Sequence, residues 1–327
     1  MKAWLLPAFT GIEAMHLGEA ADPVPGAGEV VMALRFAALN PADRYLAMGQ
    51  YPAKPPLPHI LGRDGVGTVT AVGTGVQDIQ VGDTRLILRS EVGVNRAGTL
   101  AERVAVEARY TVAVPAGWTL EQAAAAPLVY VTAWQALTQW KDLPEKGVVL
   151  ITGATGGVGV AATQLGQALG HTVVGLSRSA EKSAELRKLG ASYTFDPQDK
   201  TWRKGLKETL GTRRVDLAID NIGGSLFNEV IDTLGANGRV SCVGRLAGPV
   251  PEFNTAALFF RRLQIRGVAI ATYSHEESVA AWEGILGTLG RTGARPVIDQ
   301  VFGFGEVPAA FARLERGPMG KVLVAIS

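Results

Sequence analysis

Apolar and polar positions change rhythm near residue 120. Before it, apolar residues fall in short runs: VVMALRFAAL (30–39), GVGTVTAVG (65–73), TRLILR (84–89) and LAERVAV (100–106). These runs are rich in β-branched residues and are separated by Pro and Gly, which predicts a mostly β unit. EQAAAAPLVYVTAWQALTQW (121–140) is Ala-rich with apolar residues at helical spacing. From Gly147 a regular alternation begins. GVVLIT, TVVGLS, YTFD, VDLAIDN and GRVSCVG read as strands; VAATQLGQALG, AEKSAELRKLG, KTWRKGLKETLG and SLFNEVIDTLG read as helices, the first two closed by Gly170 and Gly190. Alternation of this kind implies βαβ units and a parallel sheet. After about residue 260, LQIRGVAI reads as a strand, SVAAWEGILGTLG and VPAAFARLERG as helices, and GKVLVAIS as a last strand, elements that complete the first domain.

A length of 327 residues suggests about two domains. The net charge of +2 arises from basic and acidic residues mixed along the chain, which argues against a dedicated nucleic-acid surface. The single cysteine, Cys242, excludes an intrachain disulfide and fits a cytoplasmic setting. No apolar run reaches the roughly 20 residues of a membrane span, and Pro7 interrupts the first apolar stretch too early for a signal peptide.

LITGATGGVGV (150–160) lies between a predicted strand and a predicted helix, the context a dinucleotide-binding turn requires. A strict G-x-G-x-x-G is absent. The nearest match is Ala154, Gly156 and Gly159, with alanine at the first position. Gly156 lets backbone approach a pyrophosphate, and Gly159 lets helix and sheet pack closely. The helix start at Gly157 and Val158 then presents free N–H groups and a positive dipole end to the phosphates. The second strand selects the cofactor. A site for NAD places an acid at its end; here stand Ser177 and Arg178, with Lys182 one helical turn on. Arg178 and Lys182 would attract a 2′-phosphate, and Ser177 can donate to it, so the expected cofactor is NADPH. Asn221 and Gly244 end the fourth and fifth strands, where such sheets bind ligands.

These segments, with ALNPADRYLAMGQY (38–51), ILGRDGVGTVTAVGTGVQDIQVGD (60–83), AAAAPLVYVTAWQAL (123–137), LGASYTFD (189–196) and VDLAIDNIGG (215–224), resemble the medium-chain dehydrogenase/reductase superfamily. Within it the chain is most similar to the zinc-free quinone oxidoreductase branch. The resemblance spans nearly the whole chain and implies an α/β architecture. Residues 1–121 and 267–327 would form a GroES-like, mostly β substrate domain, and 122–266 a Rossmann domain with a doubly wound parallel sheet. It further implies an active site in the cleft between the domains, and a homodimer.

Zinc-dependent relatives take three metal ligands from positions that hold Asn40, Arg63 and Leu128 here, none a good zinc ligand. His16, His59, His171 and His275 are scattered without ligand spacing, and no metal is expected. Asp64 reads as a hydrogen-bonded turn residue and Asp43 as a turn or N-cap acceptor before a short helix. The resemblance makes Asn40, Tyr45 and Tyr51 the candidate catalytic residues: Tyr45 on the nicotinamide ribose or the substrate carbonyl, Asn40 donating its amide nearby, Tyr51 lining the substrate pocket. It places Thr132 against the nicotinamide. Lys321, after Gly320, reads as a phosphate contact or as a solvated strand residue. No His or Glu stands out as general acid, so water, a ribose relay and Tyr45 remain open as proton donor. The reaction expected is NADPH-dependent reduction of a quinone. An α,β-unsaturated carbonyl is the alternative substrate, and a non-catalytic NADPH-binding sensor the alternative role. The remaining partner expected is a small-molecule substrate.

Overall fold

The computed structural model describes every residue except Pro251 and Ser327; the first lies in an expected pocket loop, the second ends the expected last strand. The chain divides into two compact units. One comprises Met1–Leu128, Tyr273–Ser278 and Arg295–Ser327; the other Val129–Thr272 and Val279–Ala294.

In the first unit, the ten-residue strand Glu29–Ala38 organises a seven-stranded sheet. Its length lets two strands share one edge. Arg103–Glu107 pairs with its first half, and the C-terminal strand Lys321–Ala325 with its last three residues. Asp64–Val72 takes the other edge. Alternate positions supply a core containing Met32, Leu34, Val104, Phe311, Val322 and Val324. Two elements escaped the sequence pattern. A small sheet joins Lys2–Leu6 to His16–Glu19 and His59–Ile60, and Ile298–Gly303 lies parallel to the last strand. The pieces of the small sheet are too short to show a period of two.

The second unit holds a six-stranded parallel sheet. Its order is Tyr193–Phe195, Thr172–Leu176, Val148–Ile151, Val215–Asp220, Leu234–Cys242 and Gln264–Gly267. Val148–Ile151 is buried along its whole length, as a continuous apolar run in a sheet covered on both faces should be. The chain winds outward on one side of this strand and then on the other. The order therefore switches at its carboxyl end, directly before the glycine loop. Gly170 and Gly190 follow their helices with φ of 89° and 116°.

Three expectations change. The Ala-rich stretch is two helices, Leu120–Ala125 and Pro127–Thr138, because Pro127 cannot donate to the preceding turn. Gln264–Gly267 does not complete the first unit but pairs with Leu234–Cys242. Residues 279–294 also join the second unit rather than the tail of the first. The reason is local: a Cβ on Gly284 would sit 2.6 Å from the Trp134 indole, so this glycine lets helix His275–Thr292 lie directly on Trp134.

Candidate active site

Two groups of residues carry chemistry, one in each unit. In the first unit, register brings them together. Ala38 pairs with both Leu323 and Asp64, so Asn40, Asp64 and Lys321 meet where the strand ends. Lys321 Nζ donates to Leu39 O at 2.8 Å and Asn40 Oδ1 at 2.6 Å, and lies 3.3 Å from Asp64 Oδ2. Asn40 Nδ2 donates to Asp64 Oδ2 at 2.9 Å and Ala38 O at 3.3 Å. Asp64 Oδ1 accepts from the backbone N–H of Leu128 at 3.1 Å. All three side chains are buried, and each polar group has a partner, as burial of charge requires.

Beside this cluster, helix Pro41–Ala47 starts after Asn40, and Asp43 Oδ2 accepts from Asn40 N–H at 2.9 Å, the acceptor role expected of it. Burial holds the Asp43 carboxyl above its ordinary range, with the Arg63 cation pulling the other way. Arg63 Nε lies 3.3 Å from Asp43 Oδ1. Arg63 Nη1 donates to the Tyr51 hydroxyl at 3.1 Å, and the guanidinium carbon sits 4.4 Å from the centre of the Tyr51 ring. Tyr51 and Tyr45 are both half-buried.

Two sequence-based assignments are corrected here. Asn40 does not present its amide to a ligand, because both ends of that amide are bonded inside the cluster. Lys321 is not a phosphate contact, because its three donors face three oxygens of its own unit and it is only 4% exposed. Neither role was legible in the sequence, since both follow from strand register. In the sequence Arg63 stands only at a position that cannot bind zinc; its contact with Tyr51 comes from the fold.

In the second unit, the loop after Val148–Ile151 turns at Gly153, whose φ is 56°. Gly153 precedes the motif's first position, so Ala154 needs no left-handed backbone and its methyl is buried. A Cβ on Gly159 would lie 2.4 Å from Gly153 O, whereas one on Gly156 would meet nothing closer than 3.5 Å. Gly159 is therefore required by packing, and Gly156 leaves open space over the loop. Helix Gly157–Ala168 follows, N-capped by Gly156; Val158 is half-buried in its first turn. Opposite, Asn221 donates from its backbone N–H to Thr152 Oγ1 at 2.9 Å and from Nδ2 to Thr152 O at 2.8 Å. Thr152 Oγ1 donates to Asp220 Oδ1 at 2.7 Å. Asn221 Oδ1 is buried without a hydrogen-bond partner. Gly244 approaches Asn221 so closely that a Cβ would lie 2.8 Å from Asn221 O. An orphaned acceptor, open space over Gly156 and the free N–H groups of a helix start fit a bound dinucleotide.

At the end of the second strand, Ser177, Arg178, Ser183, Arg187, Thr194 and Asp196 line a cavity of about 330 Å³. Arg178 is exposed. Ser177 is buried and bonds to Ser179. Lys182 lies in helix Ala180–Lys188, where its backbone N–H donates to the capping Ser179 Oγ at 3.3 Å. Arg187, which the sequence reading missed, enters from one turn beyond Ser183 and donates to Thr194 Oγ1 at 2.5 Å. Asp196 adds a carboxylate, with Oδ1 bonded to Gln198 N–H at 2.8 Å. Thr132 is buried in helix Pro127–Thr138.

Residues 26–116 match the family model described as alcohol dehydrogenase GroES-like domain, and residues 157–285 match zinc-binding dehydrogenase. The human synaptic vesicle membrane protein VAT-1 homolog is 30% identical, over 99% of this chain and 86% of its own length. The chain belongs to the medium-chain dehydrogenase/reductase superfamily. It is an oxidoreductase of the quinone-reductase-like kind. The pig quinone oxidoreductase is 29% identical over 99% of this chain and 97% of its own. Among solved structures, an NAD-dependent alcohol dehydrogenase superposes with a TM-score of 0.92 at 29% identity, with both chains covered in full. A mycobacterial protein complexed with NADPH superposes with 0.90 at 26%, again over both full chains. The GroES-like and Rossmann architecture expected from the sequence is that of this superfamily.

The zinc that one family description implies does not fit this dehydrogenase/reductase. Asn40 is neutral and fully bonded, Arg63 is a cation, and the Lys321 ammonium already neutralises Asp64. Among the described residues, no group of three or more His, Cys, Asp or Glu is placed to hold a metal. No helix among them is long and apolar enough to cross a membrane.

Proposed function

We propose that this protein is a zinc-independent, NADPH-dependent reductase of quinones, with α,β-unsaturated carbonyls as the alternative acceptors. One observation carries the cofactor choice: the second strand ends in Ser177 and Arg178, and Arg187 joins them around one cavity. Cations there suit a 2′-phosphate, which they bind through charge-assisted bonds. Gly156, Gly157, Val158 and Gly159 would hold the pyrophosphate by backbone N–H groups, and Asn221 Oδ1 would accept from the cofactor. Thr132 and Gly244 are assigned to the same ligand. The mycobacterial relative solved with NADPH supports this reading, while the alcohol dehydrogenase described as NAD-dependent makes the cofactor comparison the decisive one.

When bound, the reduced nicotinamide supplies a hydride, two electrons with one proton. A quinone or enone is already electrophilic and needs orientation, polarisation of its carbonyl and a proton rather than a metal. Tyr45 and Tyr51 are the side chains proposed to supply these. A cytoplasmic setting and a homodimer belong to the same reading. The dimer is supported by the edge strand Gln264–Gly267 and by the exposed Phe259, Phe260 and Leu246 of the same unit.

The test is a panel of quinones, 2-alkenals and enoyl thioesters, with NADPH and NADH each followed by absorbance. Turnover of a quinone with NADPH supports the reading, and no turnover of any acceptor overturns it. Arg178→Ala should weaken NADPH by roughly tenfold or more while changing NADH little. A wild-type preference for NADH would remove the cofactor assignment.

A further inference from the structure

We infer that a cavity of the first unit lined by His59 is a binding site for a small, neutral hydroxyl compound of the phenol class. The inference stands apart from the reductase reading. The cavity measures about 440 Å³, within the range of small-molecule sites. It shares no lining residue with the Asn40 group or with the glycine loop. Strand Lys2–Leu6 pairs with His16–Glu19 along one edge and with His59–Ile60 along the other. The cavity is lined by Glu19 from the first partner strand, His59 and Ile60 from the second, and Leu5 from the strand between them.

His59 supplies the polar point of the site. It is only 4% exposed, and its Nε2 is buried with no hydrogen-bond partner among the described residues. A buried polar atom of this kind is stabilised by a group that bonds it. Burial holds the imidazole below its ordinary value of 6.5, with the Gly93 backbone opposing and the Arg63 cation adding to the depression. The ring is therefore uncharged at neutral pH. A nitrogen of a neutral imidazole is either an N–H donor or a lone-pair acceptor. A hydroxyl bonds either form, because it both donates and accepts.

The rest of the lining sets the ligand class. Leu5, Ile60, Pro56 and Pro58 offer apolar surface to a ring. Among the described lining residues there is no Lys or Arg, and Glu19 is the only acid. An anion would therefore meet a carboxylate and no cation. A cation would gain little, because the Glu19 side chain is 79% exposed and its attraction is screened by water. A phenol is neutral at pH 7 and carries the hydroxyl on an apolar ring.

The test is a titration of the full chain with 4-fluorophenol, followed by fluorine NMR, with fluorobenzene as the probe that lacks the hydroxyl. 4-Fluorophenol should bind with a Kd of about 1 mM or tighter, and fluorobenzene roughly fivefold more weakly or worse. His59→Phe should weaken 4-fluorophenol by about fivefold or more and leave fluorobenzene within about twofold. In the wild type the His59 ring-nitrogen resonance, assigned by its loss in His59→Phe, should shift on addition of 4-fluorophenol. Ala97 is an exposed lining residue, and Ala97→Trp should abolish binding by filling the space beside it. No binding of 4-fluorophenol up to about 10 mM overturns the inference, and so does equal binding of the two probes. Binding that survives Ala97→Trp unchanged places the phenol elsewhere and overturns it as well. If His59→Phe does not fold, Ala97→Trp and the comparison of the two probes still decide.

Discussion

Asp64 and Lys321 show how a residue's role depends on what the fold puts beside it. Both are nearly inaccessible, and their attraction acts in a medium of low dielectric where an unpaired charge is costly. Lys321→Met should therefore cost about 3–5 kcal/mol, read from urea unfolding, because it leaves the Asp64 carboxylate buried without its cation. Adding Asp64→Asn should recover a large part of that loss, since the remaining groups are neutral and can still bond. An equal or greater loss in the double variant would show that the cluster acts through shape rather than charge. In the sequence, Asn40 and Lys321 looked like ligand contacts because they stand in segments that resemble a cofactor-binding family. Their partners lie about 280 residues apart along the chain, and no local pattern announces that meeting.

Within the strand–loop–helix element, three glycines that look alike in the sequence do different work. Gly153 has the left-handed backbone, Gly159 has no space for a side chain, and Gly156 has both ordinary backbone and room. Gly159→Ala should lower stability by about 1–3 kcal/mol through the clash with Gly153 O. Gly156→Ala should leave the thermal midpoint nearly unchanged and weaken NADPH binding, measured by fluorescence titration, because its methyl enters the space assigned to the pyrophosphate. If Gly156→Ala destabilised the fold while sparing the cofactor, the assignment of that space would fail. The element was legible from its strand, glycines and helix. Which glycine carried the turn was not, since Ala154 occupies the expected first position and the strain sits one residue earlier.

For the molecule as a whole, two histidines tie stability to pH, His59 buried and His171 half-buried. Burial pushes His59 below its ordinary value of 6.5, and His171 is lowered for the same reason, with Asp216 opposing. A lowered folded-state value means the unfolded chain binds the extra proton, so stability is full above about 6.5 and falls as the pH drops below it. The denaturation midpoint should decline between pH 7.5 and 5.5, and His59→Asn should flatten part of that decline. A wild-type slope unchanged by the substitution would remove His59 as a cause. Cys242 adds no reactive thiol at neutral pH, because burial and then Asp220 push it up to about 11. At the same scale, the exposed Phe259 and Phe260, just ahead in the chain of the edge strand Gln264–Gly267, predict a dimer. Phe260→Lys should shift the mass measured by light scattering toward a monomer, and a wild-type protein already monomeric would refute that.

By itself the sequence determined the two-part architecture, the parallel sheet, the glycine loop and the cationic end of the second strand. Each is written in neighbouring residues: a period, a turn residue, a charge one helical turn away. Tertiary structure alone decided which polar groups remain available. Strand register around Ala38 enclosed Asn40 and Lys321 in a closed network with Asp64. The same fold placed Arg63 against Tyr51 and packed Gly284 on Trp134, drawing a late helix into the second unit. The physical reason is that a hydrogen bond between distant segments is set by pairing and burial, and neither leaves a periodic trace along the chain.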